Sequence, residues 1–272
     1  MHEGDRGAPT RLAGDGDRIG RQLMGQLQGR TAVVTGGTSG IGLAAARRFA
    51  AEGAHVFITG RRKDALDAAA GEIGNAVTAV RGDVADLGDL DRLYAAVEHQ
   101  GRRIDVLFAN AGGGSFRRLE QVSEDHFDQI FDTNVRGLLF TVQKALPLLN
   151  DGASVILTGS TSASAGKEAF GVYGASKAAV RSFARTWASE LRGRRIRVNT
   201  LTPGPTDTPG ITGLAADQEK AAQLKGFLAS QVPLGRMGSP DEIASAALFL
   251  ASEQSSFVTG IELFVDGGVN QI

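Results

Sequence analysis

The stretch TAVVTGGTSGIG, residues 31–42, decides how the rest of this chain is read. A short apolar, β-branched run from Thr31 to Thr35 runs straight into a glycine-rich turn, and the turn opens a segment of helical character. Gly36, Gly40 and Gly42 stand in a G-x-x-x-G-x-G spacing, which differs from the G-x-G-x-x-G dinucleotide fingerprint but answers the same physical need. Glycines let the turn close tightly and let a pyrophosphate approach the backbone, while the helix start offers free N–H groups and the positive end of its dipole. The plainer reading is a glycine-rich connection with no ligand. Its position directly between a strand and a helix favours the phosphate loop.

Outward from that unit the same alternation continues. Runs at 31–35, 55–59, 77–82, 106–110, 154–160, 196–202 and 262–268 read as strands, and most are continuously apolar, as strands of a parallel sheet covered on both faces must be. Helical stretches at 41–52, 63–73, 86–100, 125–149, 172–192 and 240–252 lie between them, with Pro147 expected to kink or end the fourth. The pattern predicts an α/β fold: a single-domain, Rossmann-type, doubly wound parallel sheet of about seven strands with helices on both faces. The domain is expected over residues 27–272, with an insertion at about 204–235. Residues 1–26 read as a flexible arm, because their Gly-, Asp- and Arg-rich composition has no apolar stretch of a secretory signal; Met24 is an alternative start.

Composition narrows the function. A formal net charge of -1 argues against bulk binding to nucleic acid or a membrane surface, and no apolar run is long enough for a membrane span. The absence of cysteine removes disulfides, thiolate metal sites and thiol nucleophiles, and it fits a cytoplasmic location. The four histidines, at 2, 55, 99 and 126, have no metal-ligand spacing and read as ordinary surface or helix residues, so no metal is expected.

Three further stretches speak to a nucleotide. After the second strand, where an acid would bind the ribose hydroxyl of NAD, the sequence has Gly60, Arg61 and Arg62; guanidinium groups there favour the extra phosphate of NADP(H), with NAD(H) possible. Asp83, with Val84 beside it, follows the third strand and is placed to meet an adenine amino group, or simply to cap the next helix. ANAGGG, residues 109–114, is a loop with almost no side chains at the end of the fourth strand, where a cofactor can lie flat.

The remaining chemistry lies in YGASK, residues 173–177. The chain has two tyrosines, and Tyr173 stands one helical turn before Lys177, on the same face. Ser160, at the end of the fifth strand, is placed to meet them over one carbonyl oxygen. A lysine ammonium favours phenolate and so is expected to lower the tyrosine pKa from near 10, while the serine hydroxyl steadies developing charge. Asn134, on the 125–149 helix, is placed to hold a water linking Lys177 to solvent. The stripe Val180, Phe183 and Trp187 reads as core or subunit interface.

Together TGGTSGIG, GDV, NAG, Asn134, Ser160, YGASK, PGP at 203–205 and VDGG resemble the short-chain dehydrogenase/reductase family, in its branch of about 250 residues, over nearly everything from Gln28 onward. Ala109 stands where the family often has an asparagine. The resemblance implies an oxidoreductase moving a hydride between nicotinamide and a ketone, aldehyde or secondary alcohol. It implies Asn134, Ser160, Tyr173 and Lys177 as catalytic tetrad, Lys177 also on the nicotinamide ribose and Thr206 on the carboxamide. The implied cofactor set is Gly36, Thr38, Ser39, Gly40, Ile41, Gly42, Arg61, Arg62, Asp83, Val84, Asn110, Ala111, Gly112, Tyr173, Lys177, Pro203, Gly204 and Thr206. The expected partners are a small-molecule substrate and further copies of the chain in a homotetramer. Substrate choice is expected near 113–116, 162–170 and the 204–235 insertion, where Gly113, Gly114, Phe170, Leu214 and Phe227 suggest a modest apolar ketone or aldehyde. Alternatives are a β-ketoacyl thioester reductase, with Arg117, Arg118 and Lys167 as a basic rim, a sugar dehydrogenase, or an NADP-sensing regulator without chemistry; a dehalogenase is disfavoured by Lys177.

Overall fold

Seven parallel strands form one sheet in the order β3-β2-β1-β4-β5-β6-β7. The structure is a computed structural model, and the described residues are 25–272. The strands are β1 (Thr31–Thr35), β2 (His55–Gly60), β3 (Val77–Arg81), β4 (Ile104–Ala109), β5 (Leu149–Thr158), β6 (Arg197–Pro203) and β7 (Glu262–Val265). Three helices connect the first four strands: α1 (Gly40–Ala51), α2 (Lys63–Ile73) and α3 (Leu87–His99). Then come α4 (Glu124–Phe131), α5 (Leu138–Ala145), α6 (Gly171–Glu190), α7 (Pro209–Thr212), α8 (Gln218–Ser230) and α9 (Pro240–Ala251).

The apolar runs are continuous because both faces are covered. Ala32 and Val34 of β1, with Val56 and Ile58 of β2, point into a layer closed by Ala44, Ala45, Ala46 and Phe49 of α1 and by Ile243, Ala247 and Leu250 of α9. Val33, Phe57 and Leu107 point the other way, onto Leu93 and Val97 of α3, Leu138 and Val142 of α5, and Val180 and Ala184 of α6. Successive strand residues face opposite sides, so each strand feeds both layers. Each large side chain buried in this way contributes about 1.5–3 kcal/mol.

From β1 the chain steps outward to β2 and β3, then returns to β4 and proceeds to the other edge. The order reverses between β1 and β4, and the crevice beyond the carboxyl ends of these strands is where such sheets bind ligands. Thr35 ties the two ends together. Its hydroxyl accepts the N–H groups of Asn110 and Ala111, both at 3.0 Å, and its carbonyl accepts the Asn110 side-chain amide at 3.0 Å.

Several boundaries depart from expectation. The helix expected over 125–149 is α4, a π-helical turn at Asp132–Gly137, and α5, which stops at Ala145. Pro147 has no N–H to continue it. β5 starts at Leu149 rather than 154, because Leu149 pairs with Ile104 before the register shifts and Ser154 pairs with Val106. The last strand ends at Val265; beyond it Asp266 accepts the N–H groups of Gly268 and Asn270 at 2.9 Å, closing a turn instead of extending the sheet. The 204–235 insertion contains α7 and α8. Of the arm expected over 1–26, residues 1–24 lie outside the described residues. Gln26 donates its N–H to the Glu52 carboxylate at 2.9 Å, and Leu27 is buried in the core. Among the described residues no helix is long and apolar enough to cross a membrane.

Candidate active site

The loop after β1 needs its glycines. Gly36 and Gly40 have φ of 65° and 53°, in the left-handed region. A Cβ on Gly42 would lie 2.2 Å from the Gly36 carbonyl oxygen, so the first turn of α1 can pack on the loop only without a side chain there. Ser39 precedes α1 without a side-chain cap, which leaves the helix start to act through its own N–H groups and dipole. These features fit a pyrophosphate.

At the end of β2, a Cβ on Gly60 would lie 2.4 Å from the Thr38 methyl, so an acid at that position would meet steric resistance. Arg61 is largely exposed, with its guanidinium 3.9 Å from the Asp83 carboxylate. Arg62 precedes α2 as its N-cap residue and is also exposed. The Asp83 carboxylate accepts the Ala85 N–H at 3.0 Å, within its own turn, and it lines an open hollow of about 620 Å³ together with Asp86, Asp89 and Arg136. Val84 is buried among the second core layer. Thr206 is buried too, and its hydroxyl donates to the Gly204 carbonyl at 2.9 Å. Pro203 ends β6, and the Gly204 N–H donates to the Val265 carbonyl at 3.0 Å. Thr208, unmarked in the sequence reading, lies across the phosphate loop: its methyl would be 3.2 Å from a Cβ on Gly40.

α6 carries Tyr173 and Lys177 to the carboxyl end of β5. Lys177 is buried and its ammonium donates to the Thr158 carbonyl at 2.9 Å, with Nζ 5.7 Å from the centre of the Tyr173 ring. Burial pulls the Lys177 pKa down from 10.5 to about 8. Tyr173 is half-buried, and desolvation pushes its pKa up, with a hydrogen bond to Ser160 acting in the opposite direction. The lowering expected from Lys177 is therefore not the dominant influence here. Desolvation disfavours charge on both groups, and Ser160 supplies the downward pull. Ser160 begins a short turn at Thr161–Ala163, where its hydroxyl accepts the Ser162 N–H at 3.2 Å.

Asn134 lies in the π-helical turn and is fully buried. Its side-chain oxygen accepts the Gly113 N–H at 3.0 Å, and its amide donates to the Gly113 carbonyl at 2.8 Å and to the Ser176 hydroxyl at 3.0 Å. Ser176 in turn donates to the Tyr173 carbonyl at 2.7 Å. The side-chain amide is thus occupied by protein partners, and it braces the glycine loop against α6. Gly112 completes the cluster, since a Cβ there would lie 3.0 Å from the Asn134 oxygen and 3.1 Å from Lys177 Nζ.

Of the residues expected to shape the substrate site, Gly114 and Phe170 lie against the Tyr173 ring. Leu214 is half-buried, and Phe227, on α8, is exposed. In the expected basic rim, Arg118 is paired with Glu168. His126, read as an ordinary surface or helix residue, is on α4 but buried, 3.3 Å from the Ser115 hydroxyl. Among the described residues no cluster of three metal-ligating side chains occurs.

Residues 36–270 match a family model described as enoyl-(acyl carrier protein) reductase. An oxidoreductase of Sarocladium schorii is 48% identical over 249 residues, covering 91% of this chain and 98% of that one. An NADP-dependent (R)-specific alcohol dehydrogenase of Lentilactobacillus kefiri is 34% identical over 253 residues, covering 90% and 98%. A solved structure described as a short chain dehydrogenase/reductase family protein superposes with a TM-score of 0.80 at 42% identity, covering 91% of this chain and 100% of its own.

Proposed function

This chain belongs to the short-chain dehydrogenase/reductase family of oxidoreductases, and from that premise we propose that it is an NADP(H)-dependent carbonyl reductase or alcohol dehydrogenase. The observation that carries the reading is the meeting of Tyr173, Lys177 and Ser160 beyond β5, beside the glycine loop that follows β4. When bound, the nicotinamide supplies or accepts the hydride at the carbonyl carbon. Tyr173 gives its phenolic proton to the substrate oxygen in reduction and takes it back in oxidation. The Ser160 hydroxyl hydrogen-bonds the same oxygen as negative charge builds on it. Lys177, held by the Thr158 carbonyl, supplies positive charge near the phenolate that remains. Asn134 acts on none of these atoms directly; it holds Gly113 and, through Ser176, the turn of α6 that carries Tyr173.

Residues of the loop from Gly36 to Gly42 would hold the pyrophosphate. Arg61, exposed at the end of β2, is assigned to the 2′-phosphate of NADP. Arg61→Asp should weaken NADPH binding about 10- to 100-fold, the range of one lost charge-assisted contact, and should spare or improve NADH. Titration of both reduced cofactors checks this, and a wild-type chain that binds NADH at least as tightly as NADPH refutes the preference.

The functional reading is tested with a panel of ketones, aldehydes and acyl thioesters under NADPH and then NADH, followed by absorbance of the reduced nicotinamide. Turnover confined to thioesters would favour the β-ketoacyl reading, although pairing of Arg118 with Glu168 weakens the basic rim that a carrier would use. Binding of NADPH without turnover of any class would favour a sensing role.

The assembly is assigned as a homotetramer. Phe183 and Trp187 stack at 4.7 Å on a half-buried face of α6, and Phe140 on α5 is half-buried beneath Arg136, apolar surface that further copies would cover. Light scattering at micromolar concentration should give four chains per particle, and a monomer would reject the assignment.

A further inference from the structure

Two loops meet beside the Tyr173 ring, and each contributes a phenylalanine to a stack that starts there. Phe170 stacks on the Tyr173 ring with centroids 4.4 Å apart, and Phe116 packs on the outer side of Phe170 at 4.7 Å. The result is a ladder of three rings, with the phenol at its inner end and Phe116, 38% exposed, at its outer end. The ladder is built into the backbone. Ala169 has φ of 60°, a conformation uncommon for a residue with a side chain, and it delivers Phe170 at the start of α6. The Ala169 carbonyl accepts the Arg117 N–H at 2.7 Å, so the two loops are joined just behind the two phenylalanines. Arg118 and Glu168 pair one residue further out.

The glycine loop runs alongside these rings. A Cβ on Gly114 would lie 2.6 Å from the Tyr173 ring and 3.1 Å from Phe170, so the glycine backbone presses on the ladder from the side. Gly113, which is held by Asn134, has open space in the direction of its missing Cβ. A carbonyl compound whose oxygen met the Tyr173 hydroxyl would lie next to an aromatic stack and a strip of glycine backbone. Aromatic rings pair with one another in offset or edge-on geometry beyond what buried area alone provides.

We infer that the Phe116–Phe170 ladder makes this chain selective for carbonyl compounds that carry an aromatic ring on the carbonyl carbon, over aliphatic ketones of equal size. The inference rests on the reductase reading above and names the substrate class of that same site. Phe116 is a specificity residue in it, and Phe170 serves both as a ladder rung and as support for Tyr173.

The test compares acetophenone with cyclohexyl methyl ketone, which share a carbon skeleton and differ in the ring. The ratio of their kcat/KM values is measured under NADPH for the wild-type chain and for Phe116→Leu and Phe116→Trp, so that intrinsic reactivity cancels between variants. Phe116→Leu should lower the aromatic-to-aliphatic ratio by about 3- to 10-fold, the range of one aromatic pair. The aliphatic ketone should lose less kcat/KM than acetophenone in Phe116→Leu, and Phe116→Trp should preserve the ratio. A ratio unchanged in Phe116→Leu overturns the inference while leaving the reductase reading intact. Failure of the reductase reading would appear differently, as no turnover of either ketone. Binding of acetophenone to the Tyr173→Phe chain, measured by calorimetry with and without Phe116→Leu, then decides the ladder on its own: affinity that does not depend on Phe116 overturns it.

Discussion

Tyr173→Phe should lower ketone turnover by at least ~10²-fold, the usual contribution of a positioned general acid, with NADPH affinity nearly unchanged. The substitution keeps the ring, and so it keeps the stack on Phe170 and the ammonium of Lys177 facing it. It removes only the transferable proton and the oxygen that meets Ser160. Because the phenol is half-buried and the stacked ring is kept, the folded chain should unfold at nearly the same temperature as wild type. The measurement is steady-state turnover together with a thermal melt and an NADPH titration. Near-normal turnover in Tyr173→Phe would place the acid elsewhere.

Lys177→Met should separate activity from stability, with opposite signs. Turnover and cofactor affinity should both fall, because the variant loses the charge beside Tyr173 and the proposed ribose contact. Stability should rise at neutral pH. Burial holds the Lys177 pKa at about 8 in the folded chain against 10.5 for the ordinary side chain. Below pH 8 the folded state must hold a buried charge, a penalty of about 3 kcal/mol. That penalty is relieved as pH rises from about 8 towards 10.5, because there the unfolded chain binds more protons than the folded one. Losing the donor to the Thr158 carbonyl offsets about 1 kcal/mol. The net gain for Lys177→Met is about 1–2 kcal/mol at pH 7, fading in alkaline solution. Denaturant unfolding at pH 7 and pH 10 checks it, and an equal loss of stability at both would refute the account. The same group sets the pH profile: wild-type reduction should decline above about pH 8 as the ammonium loses its proton, and Lys177→Met should lack that limb.

The order of strands and of the main connecting helices was legible because most buried strands carry a largely apolar run and those helices a periodic one. The phosphate loop and the Tyr173–Lys177 pair were legible for a related reason, since each is local: glycine spacing within eight residues, and side chains one helical turn apart. What escaped the sequence depends on which distant segments meet. Nothing in the neighbourhood of Thr208 announces that it lies over Gly40, and nothing near Ser176 announces Asn134 as its partner. The aromatic ladder requires the left-handed Ala169, which sequence does not mark, since alanine is no common occupant of that region. The early start of β5 was hidden by the exposed Asp151 and Gly152 that interrupt its apolar run. Spacing shows that Lys177 stands near Tyr173 but not that burial desolvates the phenol, and desolvation sets the direction of its shift.

The π-helical turn leaves a trace in the linear order of residues. His126, Ile130, Asn134, Leu138 and Val142 are all buried, and each follows the last by four positions. On an ideal α-helix a step of four overshoots a full rotation by about 40°, so a run of such steps would wind its stripe away from the sheet. The wider turn at Asp132–Gly137 takes up part of that excess rotation and keeps Asn134 in phase with Ile130 before it and Leu138 after it. The interval of four is therefore a phase record of the helix. Where Asn134 stands between Ile130 and Leu138 in that inward beat, the helix has been rewound locally to aim an amide at the glycine loop.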